Sequence, residues 1–78
     1  MPTKVKGYLL IQTKMGKANL VAHALRKLPG VVSVDVVAGS WDAIATIAGE
    51  SIEQLGELVT GKVRNIEGVE RTLTSFVL

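Results

Sequence analysis

The amino-acid sequence predicts an α+β domain in which a four-stranded antiparallel sheet has two helices on one face. Three observations predict this class. Two stretches repeat apolar residues at helical spacing, and each ends at a Gly-Val pair. The segment that leaves the first helix, its exit, is Leu28-Pro29-Gly30-Val31. A similar exit from the second helix, Ile66-Glu67-Gly68-Val69, follows 38 residues later. Between the two halves, Gly39-Ser40 separates two strand-like runs and predicts a two-residue hairpin turn with a positive φ at Gly39.

The first strand is predicted over Val5 to Thr13. Its centre, Tyr8-Leu9-Leu10-Ile11, is apolar at consecutive positions, which sends apolar side chains to both faces of the sheet. This pattern is typical of a central strand that is covered on both faces. A helix is predicted from Lys17 to Leu28, and Pro29-Gly30 ends it. Its apolar face contains Leu20, Val21, Ala24, Leu25 and Leu28.

The second and third strands are predicted on either side of the Gly39-Ser40 turn, over Val31 to Ala38 and about Trp41 to Ala48. Successive residues of a strand point to opposite faces, so one alternate set of the second strand should pack against the helices. The expected set is Val32, Val34, Val36 and Ala38.

The second helix is predicted to begin at Ser51, whose hydroxyl can accept from a first-turn amide while Gln54 bonds back to the chain. Gly56 lies inside this helix. It could permit close packing, or it could simply be tolerated at a cost of about 1 kcal/mol relative to Ala. Gly68 ends the segment, and the last strand is predicted from Val69 to Val77.

Two strand–helix–strand units joined by a hairpin form the β-α-β-β-α-β, ferredoxin-like arrangement. Right-handed crossovers place the first strand between the third and the fourth, which gives the sheet order 4-1-3-2. The face without helices would be bare in a monomer, and its apolar residues predict an oligomer interface. The core is predicted to include Leu20, Leu25, Val34, Val59 and Val63.

Length and composition limit the classes of function. A chain of 78 residues forms one domain and buries too little surface to be very stable alone. It has no Cys and one His, so a disulfide and a His/Cys metal site within one chain are excluded. Self-association is the remaining means of stabilisation. No apolar run near the N-terminus is long enough for a signal peptide or a membrane span, which predicts a cytoplasmic protein.

No residue pattern predicts catalysis. His23 has no orienting partner in sequence, no Ser has a triad context, and the carboxylates show no pairing, so we expect neither an enzyme nor a cofactor. Six cations lie in residues 1–34 and all seven acids in residues 35–78. The cations could mark a basic face for an acidic partner, or the charges of the two halves could cancel when the halves come together in the fold. An RNA-binding sheet would need aromatic side chains on both central strands, and only the first offers one, Tyr8.

Asp42 follows the predicted turn directly, and two roles are open for its carboxylate. It could accept hydrogen bonds from turn amides beside Gly39. Alternatively, it could hold the ammonium group of a small ligand while turn N–H groups face the ligand's carboxylate. The residues alone leave both roles open.

The segment Gly39-Ser40-Trp41-Asp42 resembles the Gly-x-Tyr-Asp hairpin of the Lrp/AsnC (feast/famine) regulators, in their C-terminal ligand-binding, or RAM, domain. The segment from Ala22 to Val31 looks like that domain's first helix and exit, and Ile66 to Thr72 looks like its second exit. The resemblance covers residues 1–78 as a single RAM domain. It does not include the family's helix-turn-helix DNA-binding domain, so direct DNA binding is not expected. Trp41 stands where the family usually has Tyr.

The resemblance implies a non-enzymatic, amino-acid-binding oligomer that could modulate transcription by assembling with full-length relatives. In the family, sheets pair into dimers and dimers form rings, commonly octamers, with effectors bound between dimers near the hairpin and the last strand. The alternative is a purely structural oligomerisation module without a small-molecule ligand. The ligand-binding residues that the resemblance implies, with no metal among the ligands, are Gly39, Trp41, Asp42, Thr72 and Thr74.

Overall fold

The computed structural model describes residues 4–78 and confirms the predicted order of elements. One antiparallel sheet contains β1 (Val5–Thr13), β2 (Val31–Val36), β3 (Ala43–Gly49) and β4 (Val69–Phe76). Its order, β2-β3-β1-β4, is the predicted order counted from the other edge. The helices are α1 (Ala18–Arg26) and α2 (Ile52–Gly61), and a 3-10 turn at Val63–Asn65 follows α2. No helix of residues 4–78 is long and apolar enough to cross a membrane.

Strand β1 lies between β3 and β4, and its side chains alternate between the two faces of the sheet. Leu9 and Ile11 are fully buried in the core that the sheet shares with the helices. Leu10 points to the opposite face, where it pairs with residues of both neighbouring strands. The predicted two-faced apolar strand is therefore confirmed. We call the face without helices the bare sheet face; its larger apolar residues are Tyr8, Leu10, Ile44 and Leu73.

The core lies between the helices and the other sheet face, and four of the five predicted core residues are buried: Leu25, Val34, Val59 and Val63. The prediction for Leu20 is wrong, because its side chain is 62% exposed. Helix α1 turns Val21, Ala22 and Leu25 towards the sheet instead. Leu20 precedes Val21 and so lies about 100° away around the helix axis, on the flank of the helix.

Strand β2 contains an irregularity that the sequence pattern does not reveal. Its pairing with β3 shifts between Val31 and Ser33, so one additional residue is accommodated there. Val31 therefore packs against the core together with Val34, while Val32 is 65% exposed. Of the four residues predicted to meet the helices from this strand, only Val34 is buried; the prediction is wrong for Val32, Val36 and Ala38.

The connection from β2 to β3 is a loop of residues 37–42, and the predicted two-residue turn is wrong. Gly39 has no positive φ, which rules out the tight turn types that hairpins prefer. The N–H of Val37 donates to the Asp42 carbonyl at 2.9 Å and closes the loop. Among residues 4–78, the glycines with positive φ are Gly16, Gly30 and Gly68.

The internal repeat appears in the structure as two equivalent exits from the helices. Gly30 and Gly68 have φ values of 97° and 101°, where an L side chain is strained. The Gly30 carbonyl accepts from the Ala48 N–H at 2.9 Å, and the Gly68 carbonyl accepts from the Lys14 N–H at 2.8 Å. A Cβ on Gly30 would lie 3.2 Å from a side chain of α2, and one on Gly68 would lie 3.1 Å from a side chain of α1. Each exit thus binds the opposite half of the chain.

The start of α2 agrees with the predicted cap. The Ser51 hydroxyl accepts from the Gln54 N–H at 3.0 Å. The Gln54 side chain bonds back to the chain, as predicted, and accepts from the N–H of Glu50. At Gly56 an added Cβ would meet no atom within 4 Å, so this glycine is tolerated in the helix and does not serve close packing.

We expect Leu25→Ala to lower the free energy of unfolding by about 2–5 kcal/mol, because it removes a fully buried side chain from the core. Denaturant unfolding at one fixed protein concentration measures the effect. Leu20→Ala is the matched control, since it removes the same atoms from an exposed position of the same helix. Equal denaturant midpoints for the two variants would contradict the placement of Leu25 in the core.

We expect Gly68→Ala to destabilise the protein by about 1–3 kcal/mol, since Ala is strained at positive φ and its Cβ would press against α1. Gly56→Ala is the control, and there we expect a stabilisation of up to about 1 kcal/mol from helix propensity. Thermal unfolding of both variants tests the pair. If Gly68→Ala melts at or above the wild-type temperature, the exit does not depend on glycine.

Candidate functional site

The loop of residues 37–42 is fixed to the end of β1 by three hydrogen bonds. The Asp42 N–H donates to the Ile11 carbonyl at 2.9 Å. The Asp42 carboxylate accepts the Thr13 N–H through Oδ2 at 2.8 Å. The Gln12 side-chain amide donates to the Ser40 carbonyl at 2.9 Å. Because the bonds come from three consecutive residues of β1, the loop has a defined position relative to the sheet.

The Asp42 carboxylate has a structural hydrogen-bond partner, but not the one that the sequence suggested. It accepts from a strand amide, Thr13, rather than from turn amides beside Gly39. The side chain is half-buried. The bond to Thr13 uses Oδ2, and within residues 4–78 the structure records no hydrogen bond to Oδ1. One carboxylate oxygen therefore remains as an acceptor.

A shallow cavity of roughly 540 Å³ opens beside this loop, and we call it the Asp42 cavity. Its lining includes two acidic residues, Asp42 and Glu70, and one basic residue, Lys14. Lys14 comes from the basic half of the sequence and both acids from the acidic half, so here the two halves of opposite charge meet. The complete lining is Thr13, Lys14, Met15, Gly16, Ala18, Asp42 and Glu70.

A second cavity, of roughly 280 Å³, lies along the edge strand β4, and we call it the arginine cavity. It is lined by Arg64, Val69, Glu70, Arg71 and Thr72. Glu70 lines both cavities, so the two adjoin. The pairing of β1 with β4 shifts beside this residue, since Gln12 pairs with Arg71 whereas Thr13 pairs with Val69.

The structure brings some of the predicted ligand-binding residues together and separates others. Asp42 and Thr72 lie in the two adjoining cavities. Trp41 is half-buried next to them but lines neither cavity. Gly39 is exposed in the loop, and Thr74 lies further along β4; neither contributes to these cavities.

The sequence pattern did not identify Arg71 as a neighbour of the candidate site. Its guanidinium Cζ lies 5.7 Å from the centre of the Trp41 ring, which is within the range of a cation–π interaction. Arg71 immediately precedes Thr72, one of the expected ligand-binding residues, and this adjacency was the only indication in the sequence that Arg71 lies near the candidate site. Its contact with Trp41 depends on the register of β4 against β1, which the sequence pattern does not specify.

The bare sheet face has an apolar centre and a cationic group near each end. Tyr8 is 40% exposed and Leu73 is 50% exposed. The Lys6 ammonium lies 5.5 Å from the centre of the Tyr8 ring, while Arg71 and Trp41 form the second cation–π pair. An apolar patch of this kind with cationic groups at its margin is typical of an association surface.

Comparison with known families and sequences gives a consistent result. The family model described as the Lrp/AsnC ligand binding domain matches residues 6–78. The chain is 42% identical, over 59 residues, to an uncharacterized HTH-type transcriptional regulator of Pyrococcus furiosus. That match covers 73% of this chain and 39% of the regulator, so the chain spans well under half the length of this relative.

Comparison with solved structures gives the same fold. A crystal structure of a protein from Thermus thermophilus superposes with a TM-score of 0.90 at 30% identity, and covers 95% of this chain and 92% of that one. A transcriptional regulator of Neisseria meningitidis in complex with L-Met superposes with a TM-score of 0.84 at 21% identity. It covers 95% of this chain and 49% of the regulator's chain, and at that identity the likeness concerns the fold.

Proposed function

The chain belongs to the family of Lrp/AsnC ligand-binding domains, and we propose from this membership that it is a non-enzymatic, amino-acid-binding module that works as a cytoplasmic oligomer. Its relatives in sequence are HTH-type transcriptional regulators. In the proposed function the module modulates transcription by assembling with full-length relatives, which carry the DNA-binding domain.

The observation that supports amino-acid binding best is the Asp42 cavity beside a loop of defined position. A free amino acid presents an ammonium and a carboxylate, so its site needs an anion and several donors. Asp42 has an oxygen left for the ammonium, and the Thr72 hydroxyl in the adjoining cavity supplies a donor. Because the loop is already bonded to β1, binding would require little ordering.

Three predicted site residues enter the proposal through a neighbouring subunit. Gly39, Trp41 and Thr74 line neither cavity in a single chain. We place them in the site that forms when a second subunit closes over the loop and β4. The complex of the Neisseria meningitidis regulator with L-Met supports an amino acid as the class of effector on this fold.

The alternative function, an assembly module without a ligand, has one observation in its favour. The Asp42 carboxylate already has a structural task, since it accepts the Thr13 N–H. The bare sheet face would support association whether or not a ligand binds. The two functions therefore share the assembly and differ only in the Asp42 cavity.

For the assembly, we expect Leu10→Asp to dissociate the oligomer while leaving each subunit folded, because the new charge lies on the bare sheet face. Sedimentation at micromolar concentration should then give the subunit mass of 8.3 kDa. Leu20→Asp, on the exposed flank of α1, is the control and should sediment like the wild type. Ile11→Asp points into the core and should unfold the chain. A wild-type protein that sediments as a monomer would contradict the assembly.

For the site, we expect one or more of the common L-amino acids to raise the melting temperature, since a ligand that binds the native state stabilises it. Asp42→Asn should weaken binding of that amino acid about ten- to a hundredfold by removing a charge-assisted hydrogen bond. The fold should persist, because the amide oxygen can still accept the Thr13 N–H. Calorimetry measures the affinity, and Asp35→Asn on the exposed side of β2 is the control.

Two results would change the conclusion. Equal affinities of wild type and Asp42→Asn would leave Asp42 with its structural role alone. If no amino acid binds the wild type at millimolar concentration, the assembly module without a ligand becomes the better function.

A further inference from the structure

We infer that Gln12 and Arg71 are positioning residues of the candidate site. From the bare sheet face, their side chains hold the loop of residues 37–42 in the conformation in which Asp42 lines its cavity. They act on a ligand through this loop and not by contact with the ligand. The inference rests on the proposed function, because it concerns the same site.

The two side chains start from neighbouring positions on the sheet. Gln12 of β1 pairs directly with Arg71 of β4. Cross-strand partners project from the same face of a sheet, with their Cβ atoms about 4.5–5.5 Å apart. Leu10 lies on the bare sheet face two residues before Gln12, so Gln12 and its partner Arg71 project from that face too. Together they form a polar border where the bare sheet face meets the loop.

Each of the two side chains holds one residue of the loop. The Gln12 side-chain amide donates to the Ser40 carbonyl at 2.9 Å. The Arg71 guanidinium carbon lies 5.7 Å from the centre of the Trp41 ring. Ser40 and Trp41 directly precede Asp42. The two contacts therefore act on the part of the chain that leads into the carboxylate.

The centre of the loop has few other contacts that hold it. Within residues 4–78, the backbone hydrogen bonds recorded for the loop are those of its two end residues, and none involves residues 38–41. A Cβ added at Gly39 would meet no atom within 4 Å, so the loop does not pack on the domain there. Segments with few hydrogen bonds and little packing open at a low cost in free energy. The conformation of the loop centre thus depends on the two side chains from the bare sheet face.

This dependence is local to the loop. Gln12 is half-buried and Arg71 is exposed, and neither belongs to the core. Their removal should loosen the loop without unfolding the domain, since surface substitutions usually change stability little. A loop that is loose before binding has to be ordered by the ligand, and this ordering weakens the affinity. The expected result is a lower ligand affinity with a nearly unchanged melting temperature.

Trp41 is the only tryptophan of the chain, so its fluorescence reports on the loop directly. We expect Gln12→Leu and Arg71→Gln each to make Trp41 easier to quench with acrylamide than it is in the wild type. In calorimetry, each variant should bind about three- to tenfold more weakly the L-amino acid that gives the wild type its largest thermal shift. The melting temperature at one fixed protein concentration should fall by no more than about 4 °C.

Conservative replacements and one control separate positioning from a general structural effect. Arg71→Lys keeps a cation for the ring and should remain close to the wild type. Gln12→Glu keeps the length of the side chain, but a carboxylate only accepts hydrogen bonds, so this variant should behave like Gln12→Leu. Gln54→Leu is the matched control, because the Gln54 side chain accepts the Glu50 N–H at the start of α2. It should lower the melting temperature and leave the affinity and the quenching of Trp41 unchanged.

The inference requires that ligand affinity and fluorescence quenching change together. If Gln12→Leu and Arg71→Gln bind the amino acid as tightly as the wild type, the order of the loop does not limit binding. If binding weakens while the quenching stays the same, the two residues do not act through the loop. Either result overturns the inference and leaves the proposed function standing.

Two other results identify a different cause. If Arg71→Gln sediments as a smaller species than the wild type while Gln12→Leu keeps the wild-type affinity, Arg71 serves subunit association, and the inference is overturned. If the wild type binds no amino acid, the proposed function itself fails, and the inference fails with it.

Discussion

Two glycines in the left-handed region, Gly30 and Gly68, determine how the two halves of this domain fit together. Each reverses the chain from a helix into an edge strand, and each carbonyl accepts a hydrogen bond from the strand end of the other half. The absent Cβ lets the helix of the other half approach closely. Because every exit is completed by residues of the opposite repeat, neither repeat has its full set of contacts alone. The sheet order, with β1 and β3 in the centre, follows from this mutual arrangement.

The candidate site is a product of the same arrangement. The Gly68 carbonyl binds the Lys14 N–H at the end of β1, where Thr13 and Gln12 also hold the loop of residues 37–42. Both cavities therefore lie around the end of the central strand, at the point where the chain enters β4. Side chains that are far apart in sequence, such as Trp41 and Arg71, meet there because β1 fixes the loop on one side and β4 on the other.

Much of the fold was predictable from the sequence, because it depends on local patterns. The consecutive apolar residues of β1 indicated a central strand with apolar side chains on both faces, and the repeated Gly-Val exits indicated two equivalent halves. The position of Leu20 and the irregularity of β2 were not predictable, since Leu20 and Val32 are as apolar as their buried neighbours and tertiary packing selects among them. Asp42 was recognisable beside the turn. The arginine cavity was not, because it depends on the register of β4 and on the pairing shift next to Thr13.

In the register of β4, Arg71 lies at the margin of the bare sheet face, and its guanidinium contacts the Trp41 ring of the loop that holds Asp42. In the proposed function a second subunit closes over the loop and β4, so an effector in the Asp42 cavity would lie at the surface through which subunits meet. Ligand binding and subunit association then share one free energy of coupling. By thermodynamic reciprocity, the factor by which the effector strengthens or weakens assembly equals the factor by which assembly changes the effector's affinity. The response to the effector would therefore depend on the protein's own concentration as well as on the effector's.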